Sequence, residues 1–513
     1  MEGVDPIRAL EAAVAGLTGV PVELERPADP RHGDYATNVA LRLAGQRRQP
    51  PREVADDLSA HVAQLDGVAA VEVAGPGFLN LTLDDAWLGS GLGAVLDAGR
   101  RFGAGSAETP ERVQVELVSA NPTGPITVAA ARNGAYGDAV ARLLEFAGNE
   151  VEREYYYNDA GTQMDLFRAS VDAIRRGEES PADGYQGDYM ADLAREPGDP
   201  VPRMLEQIEA DLERFRIHFD SFERQSVVEA EIPAALEAIE TFEAEGALWA
   251  KTTAHGDDRD RVVVRSDGTP TYFAADAAYI RRKFARGFDR LVYVLGADHH
   301  GYVNRLKAIA ACAGDDPDHN IEVLIGQLIN IAGERMGKRR GNAIYMDELI
   351  DWLGTDALRY SLTRYPADSP LSLDGEELRK QTNDNPVFYV QYAHARTSNV
   401  AKLAGEDGVI RGDGFDPSLL TDPTEAALLA ILGDFPRVVA HAAHLREPHR
   451  VARYLEDLAG HFHKWYDTCR VRPMTADEEI TDLHRTRLWL NDATRQVLAN
   501  GLDLLGVSAP DRM

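Results

Sequence analysis

The chain has 513 residues, room for about three domains. Its 44% hydrophobic and 27% charged residues are the balance of a globular protein. The formal net charge is −30, from 54 Lys and Arg against 84 Asp and Glu. That argues against a nucleic-acid partner unless a basic face is gathered locally, because phosphate backbones repel an acidic body. No apolar run approaches the roughly 20 residues of a membrane span. The N-terminus MEGVDPIRALEAAVAGL lacks the pattern of a secretory signal. The 2 cysteines, Cys312 and Cys469, have no CxxC spacing to suggest zinc or a disulfide framework. A reducing cytoplasm is the expected compartment.

The expected fold class is α/β, with a Rossmann-like parallel-sheet domain between an N-terminal α+β domain and a C-terminal all-α helical bundle. The boundaries are placed at 1–90, 108–370 (with an insertion) and 380–513. In the first segment VAAVEVAG and FLNLTL flank Gly75-Pro76-Gly77 and predict two strands and a turn. A Gly-, Ala- and Ser-rich break follows near 99–111. RVQVELVS then reads as a strand, and ITVAAARNGAYGDAVARLLEFAG has helical spacing up to Gly148. EVEREYYYN and RLVYVLGAD read as further strands. This alternation predicts a parallel sheet with ligands at the carboxyl ends of its strands. Beyond about 380, long amphipathic segments such as DNPVFYVQYAHARTSNVAKLA and HRVARYLEDLAGHFHKWYDTCR predict a bundle.

The most informative stretch is Glu116-Leu-Val-Ser-Ala120-Asn121-Pro122-Thr123-Gly124-Pro125. Its prolines and glycine force a turn and delay the helix to near Ile126, whose N-terminus suits a phosphate. The same stretch also reads as a plain strand–turn–helix connection. Further on, Arg335-Met336-Gly337-Lys338-Arg339-Arg340-Gly341-Asn342 sets four cations beside two glycines. That suits a loop closing over a triphosphate, or else an ordinary basic turn. Tyr272 and Asp276 are four residues apart, on one side of a helical turn. Asp298, His299 and His300 also resemble metal ligands, but no third ligand at metal spacing is evident, and no metal site is expected.

ELVSANPTGP, ARNGAYGDAVARLLEFAGNEVEREYYYNDAG, GADHHGY and YVQYAHAR, in that order, resemble arginyl-tRNA synthetases, a class I family, over nearly the whole chain. The resemblance implies ATP-dependent attachment of L-arginine to tRNA(Arg) through arginyl-adenylate. Magnesium would accompany ATP as substrate, with no tightly bound cofactor, no membrane and a monomeric chain. It implies that Glu116, Asn121, Tyr272, Asp276 and His300 bind arginine. ATP would meet Ala120, Pro122, Thr123, Gly124, Pro125, Ala129, Ala130, Gly296, Asp298, His299, Met336 and Gly337. Lys338, Arg335 and Thr127 would serve the chemistry. Tyr35 and Asn38, in the N-terminal domain, and Tyr389, Tyr392, Arg396 and Met513, in the bundle, would face tRNA. The chain departs from the family at Thr127-Val128-Ala129-Ala130, where the family has His-Val-Gly-His. Losing one preorganised donor to developing charge costs about 10²–10³ in rate. The alternative is a catalytically impaired relative that binds tRNA or arginine as a regulator.

Overall fold

The computed structural model describes residues 6–27, 29–332, 344–412, 415–475 and 477–513. The N-terminal region packs three helices, Pro6–Thr18, Val39–Arg47 and Pro51–Val62, on a three-stranded antiparallel sheet. Its strands are β1 (Tyr35–Thr37), β2 (Val68–Ala74) and β3 (Phe78–Leu83), in the order β1-β3-β2. Val14, Leu24, Leu58, Leu79 and Leu81 form its core. Gly33, in the turn before β1, has φ +85° and lies so close to the Leu81 carbonyl that a Cβ would stand 2.6 Å away, so only glycine fits.

The central sheet is built from β4 (Arg112–Glu116), β5 (Glu150–Tyr157), β6 (Ser221–Arg224), β10 (Arg290–Gly296) and β11 (Ile321–Gly326). Between β6 and β10 lies an antiparallel insertion of β7 (Thr241–Ala244), β8 (Ala247–Ala250) and β9 (Arg261–Val264). The central order is β11-β10-β4-β5-β6, every pairing parallel. The chain runs outward from β4 through β5 to β6, then returns to place β10 on the other side of β4. The gap between β4 and β10 is therefore the topological switch point, where open α/β sheets bind ligands. β12 (Ile329–Ala332) and β13 (Leu371–Asp374) form a separate parallel pair.

The two faces of the sheet differ, following the two-residue period of a strand. Val113, Val115, Val292 and Val294 pack against the Val128–Ala147 helix. Leu291 and Tyr293, one residue out of phase, join Ala274, Ala278 and Tyr279 of the Tyr272–Ala285 helix. Gly134 and Gly137 let the Val128–Ala147 helix lie close to the strand ends. A Cβ on Gly137 would sit 2.8 Å from Leu117 Cβ.

The C-terminal region has four long helices, Pro386–Glu406, Pro423–Leu445, His449–Thr468 and Asp482–Leu504, around Leu428, Leu432, Phe435, Leu455, Phe462 and Trp465. Against the reading that no apolar run approaches the length of a membrane span, the helix Pro423–Leu445 is long and apolar enough by length and composition. Its apolar side fills the bundle core, and its Asp434 pairs with Arg26 of the N-terminal region at 3.0 Å. Cys312 and Cys469 are both buried and free.

Candidate functional site

The residues at the switch point come from three directions. β4 ends in Glu116, and the chain then turns sharply. Val118 and Ser119 have φ of 67° and 43°, the left-handed region that a β-branched valine rarely enters. The neighbouring strand holds this turn in place. The Tyr155 hydroxyl donates to the Ala120 carbonyl at 2.7 Å, the Tyr156 N–H to Ser119 Oγ at 3.1 Å, and the Asn158 N–H to Asn121 Oδ1 at 3.1 Å. Asn121 Nδ2 in turn donates to Gln163 Oε1 at 2.8 Å. Tyr189 donates to the Thr123 carbonyl at 3.0 Å and lies over Gly124, while Pro122 and Pro125 are buried.

Glu116 is only 6% exposed. Its carboxylate accepts from Ser119 Oγ at 3.1 Å and from Lys283 Nζ at 2.5 Å. The second carboxylate of the site, Asp276, stands one turn into the Tyr272–Ala285 helix and is hydrogen-bonded by the Tyr302 hydroxyl. Burial pushes its carboxyl up to about 7; the Tyr302 hydrogen bond opposes the rise, and the nearby charge of Glu116 adds to it. Glu116 and Asp276 thus stand near enough for the charge of one to raise the carboxyl of the other, and both act on Tyr293 and Tyr302. Tyr272, at the start of the same helix, is 79% exposed.

Gly296 closes β10 in register with Gly326 of β11. Two glycines there keep the strand ends bare, and a Cβ on Gly296 would stand 2.7 Å from Asp298 Oδ1. Asp298 and His299 are exposed, with Oδ2 and Nε2 3.5 Å apart. Among the described residues no group of three or more His, Cys, Asp or Glu side chains is placed to hold a metal.

The start of the Val128–Ala147 helix differs from the open phosphate cradle that the turn suggested. The Thr127 hydroxyl caps it by accepting from the Ala130 N–H at 3.4 Å, and the Val128 N–H is bonded to the Ile344 carbonyl at 2.9 Å. Two first-turn donors are therefore already engaged. Ala129 is exposed and Ala130 half-buried at this end. Arg335, Met336, Gly337 and Lys338, and the side chain of His300, lie outside the described residues.

Three residues that sequence reasoning missed support the site. Arg132 is 1% exposed and donates to the carbonyls of Gln327, Pro366 and Ser369 at 2.8, 3.0 and 2.7 Å. It ties the helix to the connections after β11 and before β13. Tyr302 partners Asp276, and Lys283 partners Glu116. The signal for Lys283 was its position two helical turns after Asp276, on a face otherwise lined by alanines and tyrosines.

The bundle carries a second candidate surface, a groove of about 870 Å³ lined by Tyr392, Arg396, Lys402, Tyr466, Arg495 and Met513. The Arg396 guanidinium is held between two rings, 4.6 Å from Tyr392 and 4.5 Å from Tyr466. Met513 is 55% exposed. Tyr389 is half-buried against His463, with ring centroids 4.9 Å apart. Asn38 is exposed at the start of the Val39–Arg47 helix and makes no capping bond. Tyr35 corrects the expectation that it faces tRNA. It is 1% exposed, because β1 turns its ring into the domain core, and its hydroxyl accepts from Arg26 at 3.0 Å.

Comparison with known proteins places the chain. The arginyl tRNA synthetase N terminal domain matches residues 7–83, the catalytic domain of the class I (R) tRNA synthetases matches 203–366, and the DALR anticodon binding domain matches 390–513. The arginine–tRNA ligase of Renibacterium salmoninarum is 53% identical, over 98% of both chains. This chain belongs to the arginyl-tRNA synthetase family. The arginine–tRNA ligase of Pseudarthrobacter chlorophenolicus is 51% identical, over 99% of this chain and 97% of that protein. The arginyl-tRNA synthetase of Thermus thermophilus shares the fold, with a TM-score of 0.79 at 24% identity over 99% of this chain and 100% of that one. In this chain the parallel sheet is the one that the βαβ rhythm implied, and the helical bundle the one that the amphipathic C-terminal segments implied.

Proposed function

We propose that this synthetase joins L-arginine to tRNA(Arg) in two steps at the β4–β10 switch point. The observation that carries the proposal is that two carboxylates, Glu116 at the end of β4 and Asp276 on the Tyr272–Ala285 helix, stand near enough for one charge to act on the other. A doubly cationic amino acid is recognised most specifically by two fixed carboxylates. In this reading Glu116 and Asn121 hold the amino end, while Asp276 and Tyr272 meet the guanidinium. A carboxylate oxygen of arginine attacks the α-phosphorus of ATP, and pyrophosphate leaves with the bridging electron pair. The terminal ribose hydroxyl of the tRNA then attacks the arginyl carbonyl, and AMP leaves. No protein nucleophile is needed, so positioning and charge stabilisation do the work.

ATP enters as its magnesium complex, lying along Gly296 and the Ala120–Pro125 turn. Arg335 and Lys338 supply the phosphate charge that the Thr127–Ala130 helix start does not. Asn38, on the N-terminal domain, and the Arg396 groove, on the bundle, contact the tRNA. The working unit is one chain.

Purified protein given ATP, magnesium, tRNA and labelled amino acid tests this. The expected result is charging with arginine but not with lysine or with citrulline, the neutral analogue of arginine. Retained tRNA binding without charging would overturn the proposal and leave the regulator standing.

A further inference from the structure

Lys283 has no surface role, since its side chain is 0% exposed. The ammonium lies 4.2 Å from the Tyr279 ring centroid and 4.1 Å from that of Tyr293. Its nearest anion is Glu116 at 2.5 Å, with Glu154 at 3.7 Å. Withdrawing an ammonium from water is costly, and an apolar side chain of similar volume packs as well without that penalty. Stability alone therefore does not account for a lysine here.

Its two acidic neighbours differ in what else they hold. Glu154 has its own donors: Tyr279 at 2.5 Å, Ser221 at 3.0 Å, and Arg286. Burial opposes ionisation of Glu154, but Lys283, Tyr279 and Arg286 hold its carboxyl below the usual range. Glu116 is bonded by Ser119 on one oxygen and Lys283 on the other. A carboxylate accepts about four hydrogen bonds, so two directions stay open on a group whose plane is fixed by the other two.

We infer that Lys283 is a positioning residue for the amino acid: clamped by Tyr279 and Tyr293, it fixes the Glu116 carboxylate in the orientation that receives the arginine cation. This rests on the assignment of Glu116 to arginine made above. Lys283 reaches the substrate through Glu116 alone, so its effect disappears when Glu116 is already neutralised.

The test is a double-mutant cycle on the full chain: Glu116→Gln, Lys283→Met and the two combined. Arginine KM, ATP KM and kcat are read from arginylation, with thermal melting to check folding. Losing a buried charge-assisted bond makes each single variant raise arginine KM by about 100-fold. ATP KM stays within about twofold, and the double variant is no worse than the poorer single, the non-additivity of residues acting as one unit. Losses that multiply in the double variant, or an unchanged arginine KM in Lys283→Met, overturn the inference. An unchanged arginine KM in Glu116→Gln instead overturns the assignment of Glu116. Should Lys283→Met not fold, Lys283→Arg carries the comparison. It keeps the charge but moves it, so arginine KM should rise about tenfold with ATP KM constant, about the cost of one misplaced hydrogen bond. Equal rises in both constants, or no rise in arginine KM, would count against positioning.

Discussion

At the residue scale, Asp276 gives the pocket a pH dependence whose sign can be worked out. The unfolded carboxyl ionises near 3.8, while in the folded chain burial raises it to about 7. Between those values the folded chain holds a proton that the unfolded chain has released. This group's contribution to stability therefore falls as pH rises through that window and levels off above 7. Binding of a guanidinium needs the anion and runs the other way. Arginine KM should fall roughly tenfold between pH 6 and pH 8, tracking the ionised fraction of a group with a pKa near 7. Asp276→Asn should flatten that profile and raise KM throughout. A profile of the same shape in the variant would show that another group titrates. The sequence showed that Tyr272 and Asp276 share a helix side, but not that one is exposed and the other half-buried. That difference depends on Tyr302 and Glu116, which arrive from other parts of the chain.

At the scale of elements, the Val128–Ala147 helix sets the distance between the strand ends and whatever they bind. The ARNGAYGD stretch places Gly134 and Gly137 against Leu117, Val118 and Val294. Gly137→Ala would put a methyl into a contact of 2.8 Å and push the helix away from β4. The expected result is a loss of about 1–3 kcal/mol in denaturant unfolding, as for other overpacked sites, with higher KM for both ATP and arginine. A variant of normal stability with unchanged KM values would show that the helix position does not matter to the site. This helix and the strands beside it were legible because their apolar residues follow periods of 3.6 and 2. The strain at Val118 and Ser119 was not. Neither residue type favours positive φ; the turn is held by Tyr155, Tyr156 and Asn158 together with the Ser119 bonds to Glu116 and Leu117. Tyr35 misled for a similar reason: a tyrosine in a polar motif gives no hint that a three-residue strand turns its ring inward.

At the scale of the molecule, a net charge of −30 leaves tRNA few places to approach. The groove around Arg396 collects Lys402, Arg495 and Arg512 against Asp511, whose carboxylate is bonded to Ser398 at 2.8 Å. Arg396→Ala should weaken tRNA binding, and reduce the slope of log K against log salt by about 1 if the guanidinium meets a phosphate. An unchanged slope with weaker binding would mean that Arg396 stacks on a base instead. Tyr392, Arg396 and Met513 were singled out from the sequence, but the groove they form with Tyr466 and Arg495 was not legible there, because it is assembled from three helices and the tail, distant in sequence.

The joint between sheet and bundle is made of buried charge. Asp138 accepts from Arg142 at 2.8 Å, from Arg153 at 3.1 Å, and from Arg359. Arg359 also donates to the carbonyls of Phe215 at 2.7 Å and Leu505 at 3.2 Å. Gly506 passes so close that a Cβ would overlap the guanidinium. Removing one partner from such a buried group typically costs about 3–5 kcal/mol, so the joint resists bending. With the groove and the strand ends both meeting tRNA, as proposed above, the molecule would act as a caliper with fixed jaws: a nucleic acid that satisfies both must have the right span as well as the right letters, and a shortened one meets one jaw or the other.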